Sequence, residues 1–257
     1  LIFHNDPNTI RYSNKPDYKK FLLENCNNII FVSNWVKKRF FLNLNYKHKN
    51  NIQVIYNFIN PIKKIPKKEK IIIFSGKLNK NKGFEIFGNS IIDILDKFPD
   101  WKALVYGNEQ RESFDFKHPN LKIHNWLSHN KLLSAYEKSS ISVVNPIWEE
   151  PFGRTALESS SRGCAVITSK SGGLSETFKN NLILKKNNKS QLIQLISKLI
   201  KDKKLLKKIQ RYNFKNVIHT PHNSITLLDK LRSRKKIFYL LKKKNFKILH
   251  ISNFGIK

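Results

Sequence analysis

Short, continuously apolar runs recur along this chain, and they limit what it can fold into. Residues 29–32 (IIFV), 71–74 (IIIF), 103–106 (ALVY), 141–144 (ISVV) and 165–168 (AVIT) are each of strand length. They lack the in–out alternation of a half-exposed sheet, as expected of strands covered on both faces. Between them the apolar residues change period. Trp35, Val36, Phe40 and Phe41 recur at helical spacing, as do Phe87, Ile91, Ile94 and Leu95. Strands alternating with helices at this spacing predict an α/β fold with a parallel, doubly wound sheet. A Lys/Pro-rich stretch, 61–70, interrupts the series and is the expected boundary. The expected parts are therefore 1–60, a second α/β domain over 61–222, and a basic helix or linker over 223–257. Within the last part, 247–252 (KILHIS) reads as a strand, either the first of a following module or an edge strand of an existing sheet. Residues 191–214 read as one long amphipathic helix.

The chain has 257 residues, 40% of them hydrophobic, which suits a packed core in one large or two smaller domains. Its two cysteines, Cys26 and Cys164, are far apart in sequence, which disfavours a disulfide framework or a zinc site and fits a reducing, cytoplasmic setting. Both read as small core residues. No apolar run approaches the ~18–20 residues of a membrane span. The chain contains no Met, so Leu1 is not expected to be a translation start, and the sequence reads as a piece of a longer protein. The formal net charge is +31. The lysines are scattered among abundant Asn and Ile, which points to compositional bias more than to a nucleic-acid face. A basic face suited to peripheral contact with the inner side of a membrane stays open.

Chemistry concentrates in 141–163 (ISVVNPIWEEPFGRTALESSSRG). The order is strand, tight loop, helix start, the layout that presents ligand groups at the carboxyl ends of parallel strands. Glu150 and Glu158 have seven residues between them, the first in the loop and the second in the helix. An ionised carboxylate accepts paired hydrogen bonds from neighbouring hydroxyls. Free N–H groups at a helix start suit a phosphate. Between the carboxylates, Phe152 and Gly153 break the pattern of a plain surface helix, and Gly153 admits close backbone approach. Polyol and phosphate together suggest a sugar nucleotide. A second loop, 75–83 (SGKLNKNKG), follows a strand and supplies Gly76, Lys77 and Lys82, with lysines suited to a diphosphate. It matches neither the P-loop nor a GxGxxG pattern. His4 follows a strand and precedes a polar turn. It reads as a sugar contact or as a structural histidine. The other histidines have no metal-ligand spacing, and no metal site is expected.

At these residues the sequence resembles the retaining glycosyltransferases of family four, which have the two-Rossmann GT-B fold. EPFGRTALE (150–158) is similar to that family's E-x7-E motif and SGKLNKNKG to its G-R-L-x-x-x-K-G, with Lys77 in place of Arg. FVSNWVKKRF (31–40), VIYNFIN (54–60) and SGGLSET (171–177) resemble further family motifs. Phe58 and Asn60 depart from the expected Gly and Asp. KILHISNFG (247–255) resembles the first strand of another such module.

The resemblance implies a Rossmann-like donor domain and part of an acceptor domain. Glu150 and His4 would meet the donor sugar, and Glu158 the ribose hydroxyls. Gly76, Lys77, Lys82 and the N–H groups of Phe152 and Gly153 would line the diphosphate and sugar. The implied reaction is hexosyl transfer with retention, from a nucleoside-diphosphate sugar to a glycan or lipid-linked acceptor of cell-surface polysaccharide or lipopolysaccharide synthesis. No metal cofactor is needed in that scheme. The alternatives are a donor-binding piece without activity and a basic nucleic-acid-binding protein.

Overall fold

A computed structural model describes residues 1–9, 14–45, 51–179, 182–222, 224–231 and 250–251. The chain divides into two compact units. One holds Leu1–Phe58 with His219–Lys257, the other Ile59–Ile218.

The first unit contains β1 (Ile2–Phe3), α1 (Pro16–Asn25), β2 (Asn28–Phe31), α2 (Asn34–Phe41) and β3 (Asn51–Val54). The strands are parallel, with β2 between β1 and β3. Ser33 starts α2 as an N-cap, its Oγ accepting from Val36 N at 3.1 Å. Phe3, Phe31 and Phe40 meet ring to ring and form the aromatic centre, with centroids 5.1–5.4 Å apart. The polar turn after β1 is tied down by a partly buried ion pair, in which Arg39 Nε and Nη2 both donate to Asp6 Oδ2, at 3.1 and 3.0 Å.

Residues 219–231 join this unit and do not stand apart as a linker. Leu231 and Leu228 pack with Ile30, Ile55 and Ile2, and Ser224 Oγ donates to Tyr56 O at 3.0 Å. His250 and Ile251 pair in parallel with Ile2 and Phe3, adding an edge to the sheet. The rest of the KILHISNFG motif lies outside the described residues.

The second unit carries the main sheet. In chain order it has β4 (Glu69–Ser75), α3 (Phe84–Lys97), β5 (Lys102–Tyr106), β6 (Leu121–His124), α4 (His129–Lys138), β7 (Ser139–Val144), α5 (Arg154–Ser161), β8 (Ala165–Ser169), β9 (Ile183–Leu184), α6 (Lys189–Lys201) and α7 (Lys203–Lys215). The strands lie side by side as β6-β5-β4-β7-β8-β9, all parallel. The chain winds outward from β4 and then restarts at β7 on its other side, so the order reverses between those two strands. In open α/β sheets that switch point leaves a crevice at the carboxyl ends where ligands bind.

Burial on both faces explains the uninterrupted apolar runs. Ile72, Phe74, Ile141, Val143 and Ile167 face one core with Phe87, Ile91, Leu192 and Ile196. Ile73 and Val166 face the other, with Tyr136 and Ala156. The long helix expected over 191–214 is two helices. Asp202 ends α6, its N–H donating to Lys198 O, and opens α7, its carboxylate accepting from Leu205 N at 2.8 Å. The carboxylate competes for the backbone donors that a continuous helix would use, so the apolar period carries across a break.

Part of the Lys/Pro stretch is docked rather than loose. Lys68 Nζ donates to Tyr136 O at 2.9 Å and to Arg162 O at 2.5 Å, at the C-terminal ends of α4 and α5. Burial lowers its pKa below the usual lysine value. Beside it Cys164 is fully buried, its thiol pushed up to about 11 by desolvation. Cys26, expected in a core, is half-buried.

Candidate functional site

Two loops leave the switch point, 76–83 after β4 and 145–153 after β7. Each is built by backbone constraints that the sequence encodes locally. Asn79 caps a single 3-10 turn, Lys80–Lys82, with its Oδ1 accepting from Lys82 N at 2.9 Å. Gly83 follows at φ +78°, and a Cβ there would fall 2.1 Å from Asn145 O. Only glycine lets the first loop pass this close to the second. Asn81 O then accepts from Ile147 N at 2.9 Å and Trp148 N at 3.2 Å. The two loops are thus knitted backbone to backbone before any side chain is considered. Asn145, fully buried, adds Nδ2 contacts to Gly83 O and Asn187 Oδ1, at 3.3 and 3.2 Å.

This knitting brings Lys82 onto Glu150. Lys82 Nζ lies 2.6 Å from Glu150 Oε2, and both side chains are mostly shielded, at 28% and 16% exposed. Trp148 completes the group. Its Nε1–H donates to the same Oε2 at 3.1 Å, and Lys82 Nζ stands 4.6 Å from its ring centroid. Lys77 is exposed at the other end of the first loop, after Gly76, whose N–H donates to Tyr106 O at 3.1 Å. Outside the loop, Glu109 accepts from Asn79 Nδ2 at 3.3 Å. A two-pronged contact from Arg111 at 2.9 and 2.8 Å holds its carboxyl down to about 2.

The second loop is gripped along one edge by 169–177. Ser169 Oγ donates to Pro146 O at 2.7 Å, Ser171 Oγ to Trp148 O, Gly173 N to Glu150 O at 2.7 Å, and Thr177 Oγ1 to Phe152 O. Every second carbonyl from 146 to 152 is held. Gly172, at φ +53°, packs so tightly here that a Cβ would meet Glu150 O at 2.3 Å. The Gly172-Gly173 pair is the start of a 3-10 segment, Gly172–Glu176, and Gly173 N holds the loop at Glu150 O.

Gly153, at φ +95°, begins α5, with Phe152 buried beside it. Glu158 sits one turn into the helix and is buried, its side chain 7% exposed. Its Oε1 receives Arg154 Nη2 and His129 Nε2, each at 3.2 Å. Serines 159, 160 and 161 return their hydroxyls to carbonyls three residues back, which hides their polarity in the core.

The structure therefore brings Lys82, Glu150, Phe152 and Gly153 together at the switch point, with Glu158 on the helix that follows. Glu149, the neighbour of Glu150, is exposed. His4 lies in the first unit, half-buried just after β1. Trp148 and His129 were not singled out as site residues by sequence reasoning. An indole two residues before the loop glutamate was the available signal for the first. For the second, 29 residues from Glu158, no local signal existed. Among the described residues no group of three His, Cys, Asp or Glu is arranged to hold a metal ion, and no helix is long and apolar enough to cross a membrane.

The comparisons agree with this architecture. Over 203 residues the chain is 32% identical to an uncharacterized glycosyltransferase of Methanocaldococcus jannaschii, covering 73% of this chain and 54% of the relative. The chain thus spans about half of that relative's length. Sucrose-phosphate synthase from Thermosynechococcus elongatus superposes with a TM-score of 0.70 at 17% identity, covering 93% of this chain and 67% of that one. HepE of Anabaena, in complex with UDP-glucose, gives 0.69 at 15% identity, covering 90% and 71%. Residues 56–216 match the model of the family described as glycosyl transferases group 1. That match takes in more than half of the chain, both loops and α5, and the chain belongs to the group 1 glycosyl transferases, with the GT-B fold.

Proposed function

We propose that this chain binds a nucleoside-diphosphate sugar and belongs to an enzyme that transfers the hexose, with retention, to a glycan or lipid-linked acceptor. The observation that carries this reading is the Lys82–Glu150 contact at the switch point between β4 and β7. It sets a cation suited to a diphosphate beside a carboxylate suited to sugar hydroxyls. Lys77 and Lys82 hold the diphosphate, and the N-terminal end of α5 adds the positive end of its dipole. These groups stabilise the charge that grows on the leaving diphosphate, so the scheme calls for no metal. Glu150 orients the sugar while the anomeric carbon passes through an oxocarbenium-like state. Glu158 accepts from the ribose hydroxyls. The UDP-glucose held by the Anabaena neighbour supports the same ligand class.

The test is nucleoside diphosphate release from UDP-, GDP- and ADP-glucose by the intact protein, compared with its Glu150→Ala variant. A misplaced sugar lowers turnover on the order of 100-fold. Unchanged release by the variant overturns the role given to Glu150.

A further inference from the structure

We infer that Trp148 is a positioning residue for sugar recognition, resting on the donor-site reading above. Glu150 Oε2 accepts from two donors at once, Lys82 Nζ at 2.6 Å and Trp148 Nε1 at 3.1 Å. The two donors differ in mobility. Lys82 ends a flexible four-carbon stem, and a diphosphate competes for its ammonium. The indole is rigid, half-buried, and anchored by its own backbone. Trp148 N donates to Asn81 O at 3.2 Å, and Trp148 O receives Ser171 Oγ.

When a diphosphate draws Lys82 off the carboxylate, the indole N–H remains as the donor that fixes Oε2. Oε1 is then left to face sugar hydroxyls. The ring face, 4.6 Å from Lys82 Nζ, gives the released ammonium a favourable surface to slide along toward the phosphates. Trp148 thus separates two jobs that the ion pair alone would couple: holding the diphosphate and aiming the carboxylate. Its effect falls on the sugar half of the ligand and not on the nucleotide half.

That split can be read by calorimetric titration of the full protein with UDP, GDP and ADP and with the matching glucose conjugates. The ratio of the two affinities for one nucleotide measures the grip on the sugar. Two variants remove the N–H while keeping a ring, Trp148→Phe and replacement by benzothienylalanine, which has sulfur in place of the indole nitrogen. Both are expected to lose about 10-fold in affinity for the sugar conjugate, the worth of a hydrogen bond to a charged group. Both should keep affinity for the bare diphosphate within about twofold and unfold within a few degrees of the parent.

Unaltered affinity ratios in both variants, with Glu150→Ala reducing the ratio, overturn the role of Trp148 and leave the donor-site reading standing. An equal loss of bare diphosphate affinity marks Trp148 as merely structural and also overturns the inference. If the parent protein binds none of the ligands, or binds diphosphate and conjugate equally, the donor-site reading fails first and the inference with it.

Discussion

Gly172 has no side chain because Glu150 occupies its space: a Cβ at Gly172 would lie 2.3 Å from Glu150 O and 2.8 Å from Glu150 N. The neighbouring Gly173 N–H donates to that same carbonyl at 2.7 Å. The backbone of the loop carboxylate is therefore set by a segment more than twenty residues further on, and the side chain points where that backbone allows.

Gly172→Ala tests this relationship. The substitution meets a φ of +53° and a backbone clash together, so it should destabilise the protein by about 1–3 kcal/mol. Donor binding should weaken as well, because Glu150 must shift. Chemical denaturation and ligand titration of the variant check both effects. Parent-like stability would mean that the segment is free to give way.

Glu158 is expected to read the ribose. Glu158→Ala should lose about 10-fold or more in affinity for a ribonucleoside diphosphate, the loss of charged hydrogen bonds. It should bind the 2′,3′-dideoxy analogue as weakly as the parent does. A double-mutant cycle between the residue and the two hydroxyls gives the coupling directly. Equal losses for both ligands would assign Glu158 to packing with Arg154 and His129 instead.

Lys68 tests the role of a buried cation at two helix ends. Lys68→Met leaves Arg162 O without this donor and should cost about 1–3 kcal/mol at neutral pH. The pH dependence has a definite sign. Burial lowers the folded pKa of Lys68 below its reference of 10.5. The unfolded chain therefore binds that proton more tightly, and the contribution of Lys68 to stability rises as pH climbs from the lowered value toward 10.5. Denaturation of both proteins across this range should show the parent gaining on the variant. A constant gap would contradict the assignment.

Much of the fold could be read from the sequence because both faces of the main sheet are buried. Ile71–Phe74 and Ala165–Thr168 are apolar at nearly every position, and no half-exposed strand would be. The parallel, doubly wound class followed from the alternation of elements, whereas the order of the strands, and with it the crevice, is set by pairings between distant segments. What failed to show was set by long-range contacts or by one polar group. Asp202 splits an unbroken apolar period by capping both ways. Lys68 looks like any lysine in a basic linker until α4 and α5 end against it. Within the site, Glu150, Lys82 and Gly153 stood out by motif, whereas Trp148 and His129 gain meaning only when the loops fold. Trp148 becomes legible once Asn81 O binds its backbone and brings Lys82 over its ring.

The central claim is that the loops after β4 and β7 form a nucleoside-diphosphate-sugar site with Lys82 on the diphosphate. Thermal unfolding with UDP-, GDP- and ADP-glucose, for the parent and for Lys82→Met, tests it most directly. One nucleotide should raise the parent's melting temperature by about 5 °C or more at ~100 times its Kd. The same concentration should barely move Lys82→Met. No shift with any of the three, or an equal shift in the variant, would contradict the account.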